Sequence, residues 1–372
     1  MSNRLLRLLA VLLALTLIAA ACGDDEDAAE GTNTETDDGD AETDGDAEGE
    51  AEGEPAAQDV GTGADLSVFE GTTVGVVSLA PGLEPVDRIQ AGVVECVEAN
   101  GGSIQVFDAG GGVEAVQAFE SANAAGVDAV YNVANDVSGG SLDAALAAAA
   151  EEGRPVVTAW GGQRAGTVAI TGLEFQSAAR VGQYLLDRLA AQNNGVAAGK
   201  VLVANARVTP SLRQRADAFV AMVGPDTEFP EIEVIEVEVD IANALADAQA
   251  KVEQALQADP EIAAVFTSFD TIGQGAATAV DASGGDQFVV SFNGDSTALD
   301  MIRAGGSFAA TAANDLEGTA TIACDVLATM LGGAEPAATT YWMDSPLVTA
   351  ANVPAEGFAQ GPGSFLLYQP GS

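Results

Sequence analysis

The sequence predicts an α/β protein of two Rossmann-like lobes, each built on a parallel sheet covered by helices. Short β-branched runs alternate with segments of helical spacing between about residues 73 and 331. Strict alternation of this kind, with short connections, is typical of parallel sheets with helices on both faces. The total number of predicted strands is too high for one doubly wound sheet, and the alternation restarts between residues 170 and 177. With 48% hydrophobic residues, the chain can bury a sizeable core.

Elements of the first half follow from hydrophobic periodicity. Apolar residues recur at helical spacing at Ile89, Val93 and Val97, and Asn100-Gly101 is a helix-ending signal. The predicted strands are 73–79, 104–107, 127–133, 155–159 and 168–170. The predicted helices are 86–100, 113–125 and 142–152.

The second half repeats the pattern. Glutamates alternate along residues 232–239, which indicates a strand at a sheet edge. Asp259-Pro260 ends the predicted helix 242–258, because the residue before a proline disfavours the helical conformation. The predicted strands are 200–204, 232–239, 263–267, 288–292 and 308–312. The predicted helices are 177–192, 212–222, 242–258, 272–282, 299–304 and 317–331, followed by irregular Pro/Gly-rich chain. A TIM barrel is the alternative, but it explains neither the break near Thr171 nor this tail.

Charge and composition exclude several functions. The formal net charge of −43 argues against nucleic acid and against docking onto anionic lipid through a basic face. The chain has no histidine, which removes Ser-His-Asp and Cys-His catalysis and the usual catalytic zinc sites. There is no CxxC spacing, so we expect no metal and no cofactor.

Residues 1–21 have the anatomy of a secretory signal peptide. Arg4 and Arg7 form a positive n-region, residues 5–18 an apolar run, and residues 19–21 a small-residue cleavage site. The apolar run is too short to favour a transmembrane anchor. The cysteine that follows resembles the lipobox of bacterial lipoproteins, with Ala19 where Leu is most frequent. That resemblance implies cleavage before Cys22 and lipid on its thiol; an ordinary secretory leader is the alternative.

Residues 22–67 are expected to form a disordered acidic tether. Between residues 23 and 63 the chain is rich in Asp, Glu, Gly, Thr and Ala, without Lys, Arg or aromatic residues. Such a segment buries too little apolar surface to offset its chain entropy, and like charges extend it. The remaining cysteines, Cys96 and Cys324, could form a disulfide in an oxidising compartment or stay as separate buried thiols, and the sequence leaves both open.

Ligands of open parallel sheets bind beyond the carboxyl ends of the strands. We therefore expect a site there, of polar amides, carboxylates, an arginine and aromatic rings, suited to a neutral polyhydroxylated ligand. The candidate residues are Asn135, Asp136, Trp160, Arg213, Phe269, Asp270, Asn293 and Asn314. Two glycines after Trp160 are expected to leave room for the ligand, whereas Arg207 and Arg215 are expected to be surface charges.

Four segments between about residues 72 and 353 carry a resemblance to a known family. They are 209–219 (TPSLRQRADAF), 263–270 (AAVFTSFD), 289–294 (VVSFNG) and 309–314 (AATAAN). The chain resembles the type I periplasmic binding proteins, in particular their sugar-binding, ribose-binding-protein-like branch. The resemblance implies that Arg213, Phe269, Asn293 and Asn314 occupy ligand-binding positions. Trp160-Gly161 replaces the family's Asp-Arg pair and residues 83–86 lack its aromatics, which implies a different sugar, polyol or nucleoside-like ligand.

The resemblance also implies how the lobes are assembled. Residues 68–171 and 314–344 are expected to form the N-terminal lobe, and residues 172–313 and 345–372 the C-terminal lobe. Three crossings near Thr171, Asn314 and Ser345 are expected to act as a hinge that closes on the ligand. Cys96 and Cys324 then lie on the first and last helices of one lobe, where a disulfide is plausible.

Taken together, these features predict a monomeric, extracytoplasmic solute-binding protein, anchored to the cell membrane by lipid on Cys22. It is expected to present a sugar or polyol to the membrane permease of an ABC importer. A lipoprotein that presents its ligand to a membrane sensor is the alternative. An enzyme is disfavoured by the lack of histidine, of an activated serine and of a metal cluster, and a transcription regulator by the exported N-terminus and the lack of a basic helix-turn-helix.

Overall fold

The computed structural model describes residues 63–358 and 365–368. The expectations for residues 1–21, for Cys22 and for the acidic segment up to residue 62 lie outside this part of the chain. The described chain forms two sheets with helices between their strands, which confirms the two-lobed α/β fold. Because the sheets are separate, the barrel is excluded.

The elements alternate along the chain as the periodicity predicts. The strands are β1 (Thr73–Ser78), β2 (Ser103–Asp108), β3 (Ala129–Val133), β4 (Val156–Ala159), β5 (Val168–Gly172), β6 (Gly199–Asn205), β7 (Ile232–Glu238), β8 (Ile262–Thr267), β9 (Phe288–Asn293), β10 (Phe308–Ala313), β11 (Thr340–Met343), β12 (Leu347–Thr349) and β13 (Phe365–Tyr368). The α-helices are α1 (Glu84–Ala99), α2 (Ala115–Ala125), α3 (Asp143–Glu151), α4 (Glu174–Gln192), α5 (Pro210–Met222), α6 (Ala244–Ala258), α7 (Asp270–Ser283), α8 (Ser296–Ala304) and α9 (Leu316–Leu331).

Each lobe contains one sheet that is parallel except at one edge. The first sheet has the order β13-β11-β5-β4-β3-β1-β2, and the second has the order β12-β10-β9-β8-β6-β7. Strand β13 pairs antiparallel with β11 at the edge of the first sheet, and β12 pairs antiparallel with β10 at the edge of the second. Strand β7 lies at the other edge of the second sheet, as its alternating glutamates predict. The carboxyl ends of the parallel strands therefore define one edge in each lobe where a ligand can bind.

The chain after residue 331 corrects two sequence predictions. It contains strands β11 and β12 rather than only irregular chain, and runs of three or four residues are too short to show a period. Strand β13 pairs with β11 in the first sheet, so the assignment of residues 345–372 to the second lobe is wrong for this strand. That pairing is a tertiary contact that periodicity does not reveal.

Regular structure in the described residues includes a short helix that lies partly before residue 68, the predicted start of the first lobe. Asp65 caps a short 3₁₀ helix, Leu66–Phe69, by accepting a bond from the amide of Ser67. Phe69 is completely buried. Burial of that ring anchors the entry into β1, so residues 66 and 67 belong to the first lobe rather than to the acidic tether.

Three passages connect the two sheets before residue 350, close to the predicted positions. They run from β5 to α4, from β10 through α9 to β11, and from β11 to β12. Helices α1 and α9 pack together in the first lobe, and Cys96 and Cys324 form a disulfide between them with a Cα–Cα distance of 6.4 Å. Of the two alternatives for these cysteines, the structure contains the disulfide. No helix in the described residues is long and apolar enough to cross a bilayer.

Candidate functional site

A cavity of about 60 Å³ lies between the two lobes, at the strand ends where the site is expected. A cavity of this volume has room for about four to six water molecules, so it fits at most a small solute and no oligosaccharide. Residues of both lobes contribute to its wall. The lining consists of Leu79, Leu83, Pro85, Val86, Ile89, Ala134, Trp160, Thr209, Ser211, Leu212, Arg215, Ile241, Phe269, Asn293, Asn314 and Leu316.

Three lining residues adopt left-handed backbone conformations directly at strand ends. Ala134 follows β3 with φ 65°, Trp160 follows β4 with φ 61°, and Asn293 ends β9 with φ 118°. Among the described residues, Asn194 is the one other non-glycine residue with positive φ. Such conformations cost about 1–3 kcal/mol each and cluster at ligand sites, because the surrounding structure must impose them. The backbone strain of this fold is thus concentrated on the cavity.

Arg215 is the most deeply buried charged group of the cavity wall. It is 2% exposed and forms an ion pair with Glu174, with Nε donating to a carboxylate oxygen at 2.5 Å. Its Nη1 donates to the carbonyl of Ser268 and to Oδ1 of Asn293, both at 3.0 Å. The guanidinium also lies 5.6 Å from the ring centre of Trp160. The arginine is therefore neutralised and held in place, so it contributes donors to the site but no net charge.

A continuous hydrogen-bond chain joins this arginine to the crossings between the lobes. Asn293 Oδ1 accepts from Asn314 Nδ2 at 2.9 Å, and Asn314 Oδ1 accepts from the hydroxyl of Ser345 at 2.6 Å. Glu174 stands at the start of α4, just after the first crossing. Asn314 and Ser345 lie at the second and third crossings. The cavity wall is thus linked by side chains to the three connections that precede residue 350.

Trp160 and Phe269 supply the aromatic surfaces of the cavity, at 5% and 3% exposure. The indole Nε1 of Trp160 is buried and has no partner within the described chain. The two following glycines do not leave room for a ligand, which corrects the sequence interpretation. A Cβ on Gly161 would lie 2.3 Å from the carbonyl of Asn135, and one on Gly162 would lie 2.9 Å from Pro210 of the other lobe.

The two arginines of α5 exchange the positions predicted for them. Arg213 does not line the cavity; it is about one third exposed and pairs with Asp136 at 2.6 Å. Arg215, expected at the surface, is buried in the wall. Arg207 is a partly exposed surface charge paired with Asp217 and Glu236, as expected. Arg215 shares the apolar face of α5 with Leu212 and Phe219, three and four residues away, and this spacing was the signal for its burial.

The other candidate residues lie around the cavity rather than in its wall. Asn135 is fully buried and donates to Oδ1 of Asn132 and to the carbonyl of Val77. Asp270 lies beneath the floor, where it accepts from the amide of Asp295 and the hydroxyl of Thr311. The cavity wall itself contains four of the candidate residues, namely Trp160, Phe269, Asn293 and Asn314.

Two contacts join the lobes beside the cavity. The carboxylate of Glu84, in the first lobe, accepts two bonds from Ser296 of the second lobe. Asp136 of the first lobe pairs with Arg213 of the second. Burial opposes ionisation of Asp136, but bonds from Ser138 and the Arg213 guanidinium outweigh it and hold its pKa below the ordinary value. The candidate residues do not include Glu84, since nothing local marks a residue that caps a helix in the other lobe.

Beneath the second-lobe side of the cavity lie two buried carboxyl groups. Burial raises the pKa of Asp270 to about 7, although bonds from the Asp295 amide and Thr311 partly oppose the rise. Burial, together with the charges of Asp270 and Glu84, also raises the pKa of Asp295 well above its usual value. Neither carboxylate oxygen of Asp295 has a hydrogen-bond partner in the described chain. No cluster of three or more metal-ligating side chains occurs among the described residues.

The fold and cavity define a two-lobed protein that can hold a small solute between its lobes. The sequence profile of the periplasmic binding protein domain family matches residues 74–335. The chain belongs to this family of binding proteins, which are not enzymes. No curated protein matches the chain.

Solved structures share the fold at low sequence identity. An ABC sugar transporter subunit from Rhodobacter sphaeroides has a TM-score of 0.67 and 21% identity, over 76% of this chain and 100% of that one. An ABC transporter solute binding protein from Agrobacterium vitis with bound allitol has a TM-score of 0.67 and 20% identity, over 76% and 96%. One from Mycobacterium smegmatis with bound glycerol has a TM-score of 0.68 and 21% identity, over 78% and 99%.

Proposed function

We propose that this protein is an extracytoplasmic solute-binding lipoprotein of an ABC importer, which captures a small sugar or polyol between its lobes. The observation that carries the proposal is the cavity between the strand ends of both lobes, with Trp160, Phe269 and Asn293 in its wall. Family membership supports it, and so do the transporter proteins of the same fold that hold allitol or glycerol. The ligand-binding set of this proposal is Trp160, Arg215, Phe269, Asn293 and Asn314, with Asp136 and Arg213 closing the lobes.

Capture proceeds by closure of the lobes about the three crossings. A ligand shifts this equilibrium only through better contacts with the closed arrangement, and a solute between the lobes touches both walls at once. The bonds from Ser296 to Glu84 and from Arg213 to Asp136 form on closure and add to that preference. The chain from Glu174 through Arg215, Asn293 and Asn314 to Ser345 couples the cavity wall to the hinge.

Residues 1–21 are the signal peptide of this proposal, Cys22 is the lipid anchor, and the acidic segment is the tether. Like charges of its Asp and Glu residues keep the tether extended, so that the binding domain reaches a permease in the membrane. A Cys22→Ser variant expressed in a bacterial host should leave the membrane fraction. Recovery of the wild-type chain without lipid in the soluble fraction would refute the anchor and leave the binding proposal standing.

The genes beside this one distinguish the two possible membrane partners. A neighbouring permease and ATPase favour an importer, whereas a neighbouring sensor kinase favours the alternative partner.

Binding is tested by thermal denaturation of the full chain in detergent against a panel of sugars, polyols and nucleosides. A ligand that binds the folded state raises the free energy of unfolding by about 2.7 kcal/mol at one hundred times its Kd, and this raises the melting temperature. Trp160→Ala should abolish the shift, whereas Trp342→Ala should preserve it, since Trp342 lies on β11 outside the cavity. A panel that shifts nothing contradicts the proposed function.

A further inference from the structure

The two sides of the cavity differ in polarity. The wall contributed by the first lobe is hydrocarbon over most of its extent, because the loop before α1 and the first turns of that helix place aliphatic side chains there. These residues are Leu79, Leu83, Pro85, Val86, Ile89 and Leu316. A ligand hydroxyl pointed at this wall would lose its bonds to water and gain none, which is unfavourable.

The cavity also lacks the acceptors that a fully hydroxylated sugar needs. None of its lining residues is an aspartate, a glutamate or a lysine, and the lining arginine is paired with buried Glu174. Asn293 Oδ1 already accepts from Arg215 and from Asn314. The hydroxyls of Thr209 and Ser211 bond each other at 2.9 Å. Each free hydroxyl of a sugar is a donor as well as an acceptor, so this lining, whose side chains keep few free acceptors, fits fewer hydroxyls than a parent sugar carries.

Two donors remain available among the polar groups at the cavity. The indole Nε1 of Trp160 is buried without a partner, and Asn293 Nδ2 donates no bond within the described chain. An unpaired buried N–H is costly until a ligand oxygen meets it. These two groups suit the ring, ether or carbonyl oxygens of a ligand. The lining arginine is already neutralised by Glu174, so no free positive charge of the described lining favours an anion.

From this asymmetry we infer the ligand class: a small neutral sugar or polyol derivative with one apolar end, such as a deoxy, alkyl or alkylthio group. The apolar end packs against Leu79, Leu83 and Ile89, and the oxygen-bearing end meets Trp160 and Asn293. This inference rests on the proposed function and narrows it, because it excludes the fully hydroxylated parent sugars as preferred ligands.

The experiment uses matched ligand pairs that differ at one end, titrated calorimetrically into the full chain in detergent. The pairs are D-ribose with 5-deoxy-D-ribose and 5-methylthio-D-ribose, D-galactose with D-fucose, and glycerol with 1,2-propanediol. We expect the apolar-ended member of at least one pair to bind about tenfold or more tightly than its hydroxylated partner, the usual scale for a group that fits an apolar pocket. Hydroxylated members that bind as tightly or more tightly overturn the inference and leave the proposed function intact. No binding in any pair overturns both.

A variant of the wall provides a second readout. Leu83 is half-buried, so Leu83→Gln should fold normally while placing an amide on the aliphatic side. We expect about tenfold weaker binding of the apolar-ended ligand and unchanged or tighter binding of its hydroxylated partner. Leu331→Gln is the matched control, at a half-buried leucine on α9 outside the cavity, and should alter neither. Equal losses for both ligands in Leu83→Gln contradict the proposed orientation.

Discussion

Glu84 of the first lobe caps a helix of the second lobe through Ser296. The backbone amide of Ser296 donates to one carboxylate oxygen at 2.8 Å, and its hydroxyl donates to the other at 2.7 Å. Asp295, the N-cap residue of α8, makes no capping bond with its own side chain. The first amides of a helix lack internal partners and carry a partial positive charge, which a carboxylate satisfies. This helix is therefore completed by the opposite lobe when the two lobes meet.

The first prediction concerns this cross-lobe cap. Glu84→Ala removes both bonds, and charge-assisted hydrogen bonds contribute about 1.5–3 kcal/mol each when buried and less when partly exposed. We expect ligand binding about tenfold weaker, since closure loses one of its contacts, with little change in the melting temperature of the unliganded protein. Calorimetry with a ligand from the panel measures the first effect. Glu98→Ala, at an exposed position of the same helix, is the control, and equal affinity in both variants would contradict the role of Glu84.

Hydrophobic periodicity predicted the lobes, the order of the elements and the edge position of β7, because each of these depends on the local spacing of apolar and charged residues. The rule of strand ends likewise predicted Trp160 and Asn293 beside the cavity. It did not separate Arg213 from Arg215, which point in different directions on α5, because the ends of strands carry no information about which face of the following helix is buried. Strand β13 and the capping role of Glu84 depend on contacts between distant parts of the chain, and no local pattern encodes them.

The second prediction tests the disulfide between α1 and α9. Its cysteines are 228 residues apart, and cross-linking so long a loop restricts the unfolded chain strongly. The double variant Cys96→Ser, Cys324→Ser should lower the free energy of unfolding by about 2–4 kcal/mol. Urea unfolding measures this loss, and ligand affinity should be unchanged because neither cysteine lines the cavity. Reductant should weaken the wild-type protein to a similar extent and leave the double variant unaffected; equal sensitivity of the two would contradict the prediction.

The third prediction concerns the buried pair of Arg215 and Glu174, each with a side chain 2% exposed. Arg215→Met leaves a buried carboxylate unpaired and should reduce the free energy of unfolding by about 3–5 kcal/mol. Adding Glu174→Met should restore part of that loss, because the uncompensated charge is gone. Neither variant should bind ligand as the wild type does, since Asn293 loses its partner.

Comparison with a partly exposed arginine tests whether the loss of stability comes from the burial of Arg215 and not from the loss of one positive charge. Arg207→Met removes a partly exposed arginine whose ion pairs with Asp217 and Glu236 are solvated. Such pairs contribute about 0–1 kcal/mol. Chemical denaturation of the three variants should therefore show a far larger loss in the free energy of unfolding for Arg215→Met than for Arg207→Met. A double variant less stable than Arg215→Met alone would mean that Glu174 is stabilising without its partner, contrary to the argument.

The fourth prediction follows from the buried carboxyl groups of Asp270 and Asp295. Burial raises both pKa values, to about 7 for Asp270, so the folded state binds more protons than the unfolded state between the ordinary value of 3.8 and about 7. The contribution of these two groups to the free energy of unfolding is fully present below pH 3.8 and is lost as the pH rises toward about 7. We expect the free energy of unfolding to fall between pH 5 and pH 8 in urea titrations. Asp295→Asn should flatten this dependence and stabilise the protein mainly at pH 8, whereas exposed Asp286→Asn should change neither. The same slope in both variants would show that Asp295 is not a source of the pH dependence.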